Sequence, residues 1–140
     1  MKKIVFALTL LVSTTLFAQD KYDIFIQKIK MEEQVKVFVN NYIDKLAGES
    51  NGINAAQWIQ IKAKMDYSPY FLGIKSVLKN NYTIKELDEI IEANDIVSPA
   101  NDTGQFIFNP KPAVKEQFYN ISRNFGKQLN VQIKKQIEKL

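Results

Sequence analysis

The chain has 140 residues, of which 46% are hydrophobic and 24% charged, with 5 Gly, 4 Pro and a formal net charge of +4. That composition suits one ordinary globular domain and excludes disordered and collagen-like chains. With no Cys and no His, disulfides, thiolate and imidazole metal sites, and Ser-His-Asp or Cys-His triads are all closed, leaving Asp, Glu, Ser, Thr, Tyr and Lys for any chemistry.

Met1 to Ala18 read as a secretory signal peptide. Lys2 and Lys3 start it, Ile4 to Val12 form its apolar run, and Ser13 to Ala18 lead to a small residue. The run is shorter than the roughly 20 residues that a spanning helix needs. Cleavage is expected after Ala18, which places the protein in the periplasm or outside the cell, with no transmembrane segment thereafter. The remaining residues, 19–140, are expected to be a single domain. That domain loses two Lys and no acid, so its net charge falls from +4 to +2. Arg123 stands alone among 18 Lys, which argues against nucleic acid as a partner, since Arg forks dominate such contacts.

The mature part reads as helices with short punctuation. Asp20 is placed to cap the first, with Tyr22, Phe25 and Ile29 on one face and then Val35, Phe38, Tyr42 and Leu46. Glu32 and Glu33 interrupt that stripe, so the segment is one long helix or two short ones, and Gly48 is expected to end it as a left-handed cap. Asn54 and Gln57 have capping-box spacing, with Ile53 and Trp58 as a hydrophobic staple, and this helix is expected to run to about Asp66. Ser68-Pro69 reads as a cap and a first-turn proline. The following helix carries Tyr70, Phe71, Ile74, Val77 and Leu78 and stops at Asn80-Asn81. Thr83 and Glu86 form a second capping box, stapled by Tyr82 and Leu87, for a helix ending near Asp95.

Ile96 to Pro110 is the longest irregular stretch, with strand-like alternation only at Phe106-Ile107-Phe108. Pro112 then opens a last helix reaching towards Leu140. Its apolar positions, Val114, Phe118, Ile121, Phe125, Leu129, Ile133, Ile137 and Leu140, recur every 3.71 residues on average. A left-handed coiled coil needs about 3.5, so this helix is expected to pack on a globular core. The fold class is all-α, a compact bundle of about five or six helices.

Chemistry-bearing patterns are sparse. Ser76 and Lys79 match Ser-x-x-Lys without its companion motifs, and read as surface positions. Asp88, Glu92 and Asp95 share a face of an acidic helix, but lack the alternating acids and Gly turn of a calcium loop. Residues 80–110 carry a net −5 and residues 111–140 a net +5. These two segments are expected to pack side by side and neutralise each other, the alternative being a basic amphipathic last helix for an anionic membrane or partner. No catalytic residue, metal ligand or cofactor is assigned.

The ordered motifs Tyr82-Thr83, Glu86-Leu87, Ser98-Pro99 with Gly104-Gln105, Pro112-Ala113-Val114 and Phe125-Gly126 resemble a family of exported bacterial helical proteins known only as domain of unknown function 2059. The resemblance covers Tyr82 to Leu129. It departs where the family carries an aromatic pair before Ser-Pro, for here Asn94-Asp95-Ile96-Val97 stands, and where residues are inserted between Pro99 and Gly104. It implies an exported all-α domain and no activity.

The expectation is therefore a non-catalytic binding or interaction module, its partner an envelope protein or ligand. Phe106, Ile107 and Phe108 on the loop, which either plug the end of the bundle or form the lip of a binding groove, and Lys127 and Lys134 on the last helix, are the candidate contact residues. Two alternatives stand beside it. One is a carboxylate-based hydrolase using two of Asp88, Glu92, Asp95 and Asp102; the other is a carrier of an apolar ligand between helices.

Overall fold

The computed structural model describes residues 20–97 and 106–140, so the signal segment and residues 98–105, with the Ser98-Pro99 and Gly104-Gln105 motifs, lie outside the described residues. Six helices follow in chain order, α1 (Lys21–Lys28), α2 (Met31–Glu49), α3 (Ala55–Ala63), α4 (Ser68–Asn81), α5 (Ile84–Val97) and α6 (Pro112–Ile137), with no strand among the described residues. Phe106 to Phe108, where strand-like alternation is expected, belong to no helix or strand.

The first stripe breaks into two helices. Asp20 caps α1, its carboxylate accepting the Tyr22 N–H at 3.0 Å. The break falls at Lys30, whose backbone is left-handed (φ 53°, ψ 32°), and Gln34 donates back to the Ile29 carbonyl at 3.2 Å. A non-glycine residue adopts that conformation only when the packing on both sides requires it. Here Ile29 ends the buried face of α1 and Val35 begins that of α2. Beyond the elbow the inward positions of α2 are Val35, Val39 and Ile43, one turn apart, which leaves Phe38 outside the core that the sequence spacing assigned to it.

Gly48 does not end α2. The helix continues to Glu49, and the left-handed glycine is Gly52 (φ 98°), in the turn that aims the chain into α3. Asn54 and Gln57 form the expected reciprocal capping box, both bonds at 2.9 Å, and Trp58 is buried behind it. The helix α3 stops at Ala63, short of Asp66, because Gln132 of α6 claims that link. The Gln132 side chain accepts from the Asp66 N–H at 2.8 Å and donates to the Asp66 carbonyl at 3.0 Å. The Asp66 carboxylate then accepts the Ser68 N–H at 2.9 Å, taking the capping role expected of Ser68, and that bond holds its pKa below the usual carboxylate value.

The second capping box is also present, with the Thr83 N–H donating to Glu86 Oε2 at 2.7 Å and the Glu86 N–H to Thr83 Oγ1 at 3.2 Å. Tyr82 and Leu87 are both buried, and α5 extends two residues past Asp95. At the other end, α6 stops at Ile137, so Leu140 is exposed and outside the helix.

The bundle is organised on α4 and α6, which share the longest helix–helix contact. The short α1 lies against α2, α4 and α5, while α3 fills between α2 and α6. One core runs through all six helices, with Phe25, Val39, Ile43, Ile61, Ile74, Leu78, Leu87, Val114 and Leu129 out of contact with water. Ion pairs secure α1 to α4. Lys75 reaches Asp23 at 2.8 Å and Asp20 at 3.1 Å, and Lys79 reaches Asp20 at 3.1 Å. The Tyr22 N–H and these two lysines hold the Asp20 carboxyl down at about 2.

The acidic helix does not lie along the basic one. Instead α5 packs on α1, where Lys21 meets Asp88 at 3.1 Å. Among the described residues, Lys111 links the start of α5 to the basic segment. There Lys111 Nζ bonds Glu86 at 3.1 Å and the Asn81 carbonyl at 2.9 Å, and sits 4.4 Å over the Tyr82 ring. Net charges of two segments do not decide which helices are neighbours. The apolar faces do, and the face of α5 carrying Leu87 is turned to α1.

Candidate functional site

The loop residues expected to form a contact surface divide by position. Phe108 stands edge-on to the buried Phe25 ring, centroids 5.0 Å apart, and 6.0 Å from the Tyr82 ring. Phe106 meets the same Phe25 ring at 5.9 Å, again edge-on. Both phenyl groups are therefore half-buried and close the α1–α5 end of the core. Ile107, between them, is 57% exposed. Its backbone is held by one side chain, for Asn94 accepts the Ile107 N–H at 2.6 Å and donates to its carbonyl at 2.9 Å. This two-bond pairing sets the alternation that turns 106 and 108 inward and 107 outward. Phe108→Ala is expected to cost about 2 kcal/mol in urea unfolding, since it opens a partial cavity beside Phe25. Ile107→Ala should change stability by less than about 0.5 kcal/mol. Equal effects at the two positions would show that the loop does not alternate in this way.

The basic residues Lys127 and Lys134 are exposed on α6, and Lys134 lies 4.0 Å from Glu138, one turn away. They are well separated from the loop phenyl groups, which pack on α1, so the structure does not bring the five candidate residues together.

Of the acids named for a hydrolase, Glu92 and Asp95 are exposed on α5. Asp88 is engaged by Lys21, and Asp102 lies outside the described residues. The carboxyl groups with perturbed titration, Asp20, Asp66 and Glu86, are all pushed towards ionisation; for Glu86 the causes are the Thr83 N–H and then Lys111. A general acid requires the opposite shift. No group of three or more acidic side chains able to hold a metal ion occurs among the described residues. In the Ser-x-x-Lys pattern, Lys79 pairs with Asp20 at 3.1 Å and stands 5.5 Å over the Tyr22 ring.

Sequence spacing missed an apolar groove between α2, α4 and α6. Val35, Tyr70 and Phe125 floor it, Gln34 and Ser122 add polar groups, and its volume is about 210 Å³. Phe38 stands at its lip, 63% exposed. One turn further along α2, the Tyr42 hydroxyl donates to Asn130 of α6 at 2.6 Å and ties the two helices together. Burial pushes the Tyr70 phenol above its ordinary pKa, so it stays a neutral hydrogen-bonding group at any physiological pH. The only sequence signal for this groove is Phe38 itself, a phenylalanine one position out of step with the Val35–Val39–Ile43 row.

Searches of family models, of curated proteins and of solved structures each found no match to this chain.

Proposed function

We propose that this chain is a non-catalytic binding module of the bacterial envelope, exported by its N-terminal leader, and that it grips an apolar side chain of a partner protein in the groove between α2, α4 and α6. Membership of the family known as domain of unknown function 2059 belongs to the same proposal and rests on the motifs quoted above. The observation that carries the binding reading is Phe38. A phenyl group 63% exposed beside a cleft floored by Val35, Tyr70 and Phe125 is apolar surface left open at a concave site. A cleft of about 210 Å³ is smaller than the roughly 300 Å³ at which small-molecule pockets begin, which favours a protruding side chain over a carried ligand. Export is supported by the charged, apolar and small-residue order of Met1 to Ala18, and no helix among the described residues is long and apolar enough to cross a membrane.

The test is photo-crosslinking in the native host, with a photoreactive phenylalanine analogue at position 38, 59 or 72. Ile59 and Leu72 are as exposed as Phe38 but do not line the groove. One product is expected at position 38 and none at the other two. It should disappear when Ser122→Trp fills the groove. Equal capture at all three positions, no capture at 38, or a product indifferent to Ser122→Trp would each overturn the reading.

A further inference from the structure

We infer that the solvent face of α6 is a docking strip for the surface of an anionic lipid bilayer. Tyr119, Arg123, Lys127, Val131 and Lys134 follow one another at steps of four, four, four and three residues, which places them in a row on one side of the helix. The row is about 22 Å long at 1.5 Å per residue. Its two apolar members are turned to water, Tyr119 at 68% and Val131 at 67% exposure. Two of its cations, Arg123 and Lys127, form no ion pair with any described residue, and the third, Lys134, pairs with Glu138 one turn on at 4.0 Å.

The absence of acids along this stretch gives the row its meaning. From Gln117 to Ile137 there is no Asp or Glu, while Arg123, Lys127, Lys134 and Lys135 are present. Residues 67–85 are likewise free of acids, but there Lys75 and Lys79 are paired with Asp20 and Asp23 of the neighbouring helix, whereas Arg123 and Lys127 have no such partner among the described residues. A face kept solvated for its own sake gains from pairs one turn apart, such as Lys36–Glu32 on α2, and Arg123 and Lys127 make none among the described residues. A single-sign, straight row with an aromatic residue at one end matches the charged plane of an anionic leaflet and its headgroup zone. The opposite face of α6, with Val114, Phe125, Leu129 and Ile133, is sealed in the core. The helix therefore rests on the bilayer and does not enter it, with Tyr119 and Val131 reaching only the headgroup layer. This strip is separate from the groove, and the inference does not depend on the groove reading.

The experiment is co-sedimentation with vesicles of phosphatidylcholine alone or of phosphatidylcholine with phosphatidylglycerol. It uses the full chain and, in parallel, the chain from Gln19, which keeps every core residue and removes the apolar run Ile4–Val12 as a source of binding. Binding to the anionic vesicles only is expected, and it should be lost in 1 M salt, where screening acts within about 3 Å. Lys127→Gln should weaken it about fivefold, the effect of one cation near a charged surface, and Arg123→Glu with Lys127→Glu by more than about tenfold. Lys28→Glu with Lys64→Glu makes the same change in net charge away from the strip and should leave binding unchanged, as should Ser122→Trp. Equal binding to neutral vesicles, equal loss in the Lys28 and Lys64 pair, no loss in the Arg123 and Lys127 pair at unchanged melting temperature, or polyaspartate holding the protein as tightly per charge as the vesicles do would overturn the inference.

Discussion

Replacing Phe25 by Ala should lower the free energy of unfolding by about 3–5 kcal/mol and the melting temperature by roughly 10–20 °C. Phe25 has no exposed surface and is the ring on which Phe106 and Phe108 both stand edge-on. Its removal leaves a cavity that neither neighbour can fill, because the Asn94–Ile107 pairing fixes the backbone that carries them. The loss is a large share of the roughly 5–15 kcal/mol that domains of this size possess. A chemical-denaturation curve measures it, and a loss below about 1 kcal/mol would mean that the α1–α5 end of the core is not built on this ring. In a double-mutant cycle, Phe25→Ala and Phe108→Ala should cost less together than the sum of the two, since the second substitution removes contacts already lost.

The second large effect is expected at the α4–α6 crossing. A Cβ at Gly73 would stand 3.2–3.3 Å from three atoms of the Ile121 side chain. Ile121 is only half-buried and can swing away from a single methyl group, so Gly73→Ala should be near neutral, its gain in helix propensity offset by the crowding. Gly73→Leu cannot be accommodated by one rotamer change. It must part the two helices that share the longest contact in the bundle, at a cost of about 1–3 kcal/mol. At Gly126, in the middle of α6, a Cβ would meet nothing within 4 Å. Gly126→Ala should accordingly raise stability by about 0.5–1 kcal/mol. Thermal melts of the three variants would order them Gly126→Ala, Gly73→Ala, Gly73→Leu from most to least stable. A neutral Gly73→Leu would show that the helices do not approach closely at this point.

What can be read from the sequence is what local chemistry decides. Both capping boxes, Asn54–Gln57 and Thr83–Glu86, appear as expected because their bonds join residues three apart. The 3.71-residue period of the last helix marks a helix laid on a globular core, and α6 is one. Local signals fail where a distant residue intervenes. Ser68 has the chemistry of a cap but lies inside the first turn of α4, and its own N–H is capped by Asp66, positioned by Gln132 from α6. Gly48 has the chemistry of a helix end, yet the left-handed turn is at Gly52. The charge totals of residues 80–110 and 111–140 suggest neighbours, while the buried face of α5 selects α1. The groove is illegible because Val35, Tyr70 and Phe125 come from three helices, and each taken alone is an ordinary core position. Phe106 and Phe108 are ambiguous because a triplet of apolar residues does not say which members turn inward until Asn94 fixes the middle one.

The edge contacts of Phe25 with Phe106 and Phe108 also set an order of events. A chain emerges from the ribosome N-terminus first, so α1 appears early and its aromatic cover only after α5 has been made. Until Phe108 arrives, Phe25 presents an uncovered ring and α1 lacks one wall of its site. The N-terminal helices can form turns, but they cannot close the core. The domain is therefore held open until most of its length has been made, and the last third of the chain acts as the latch.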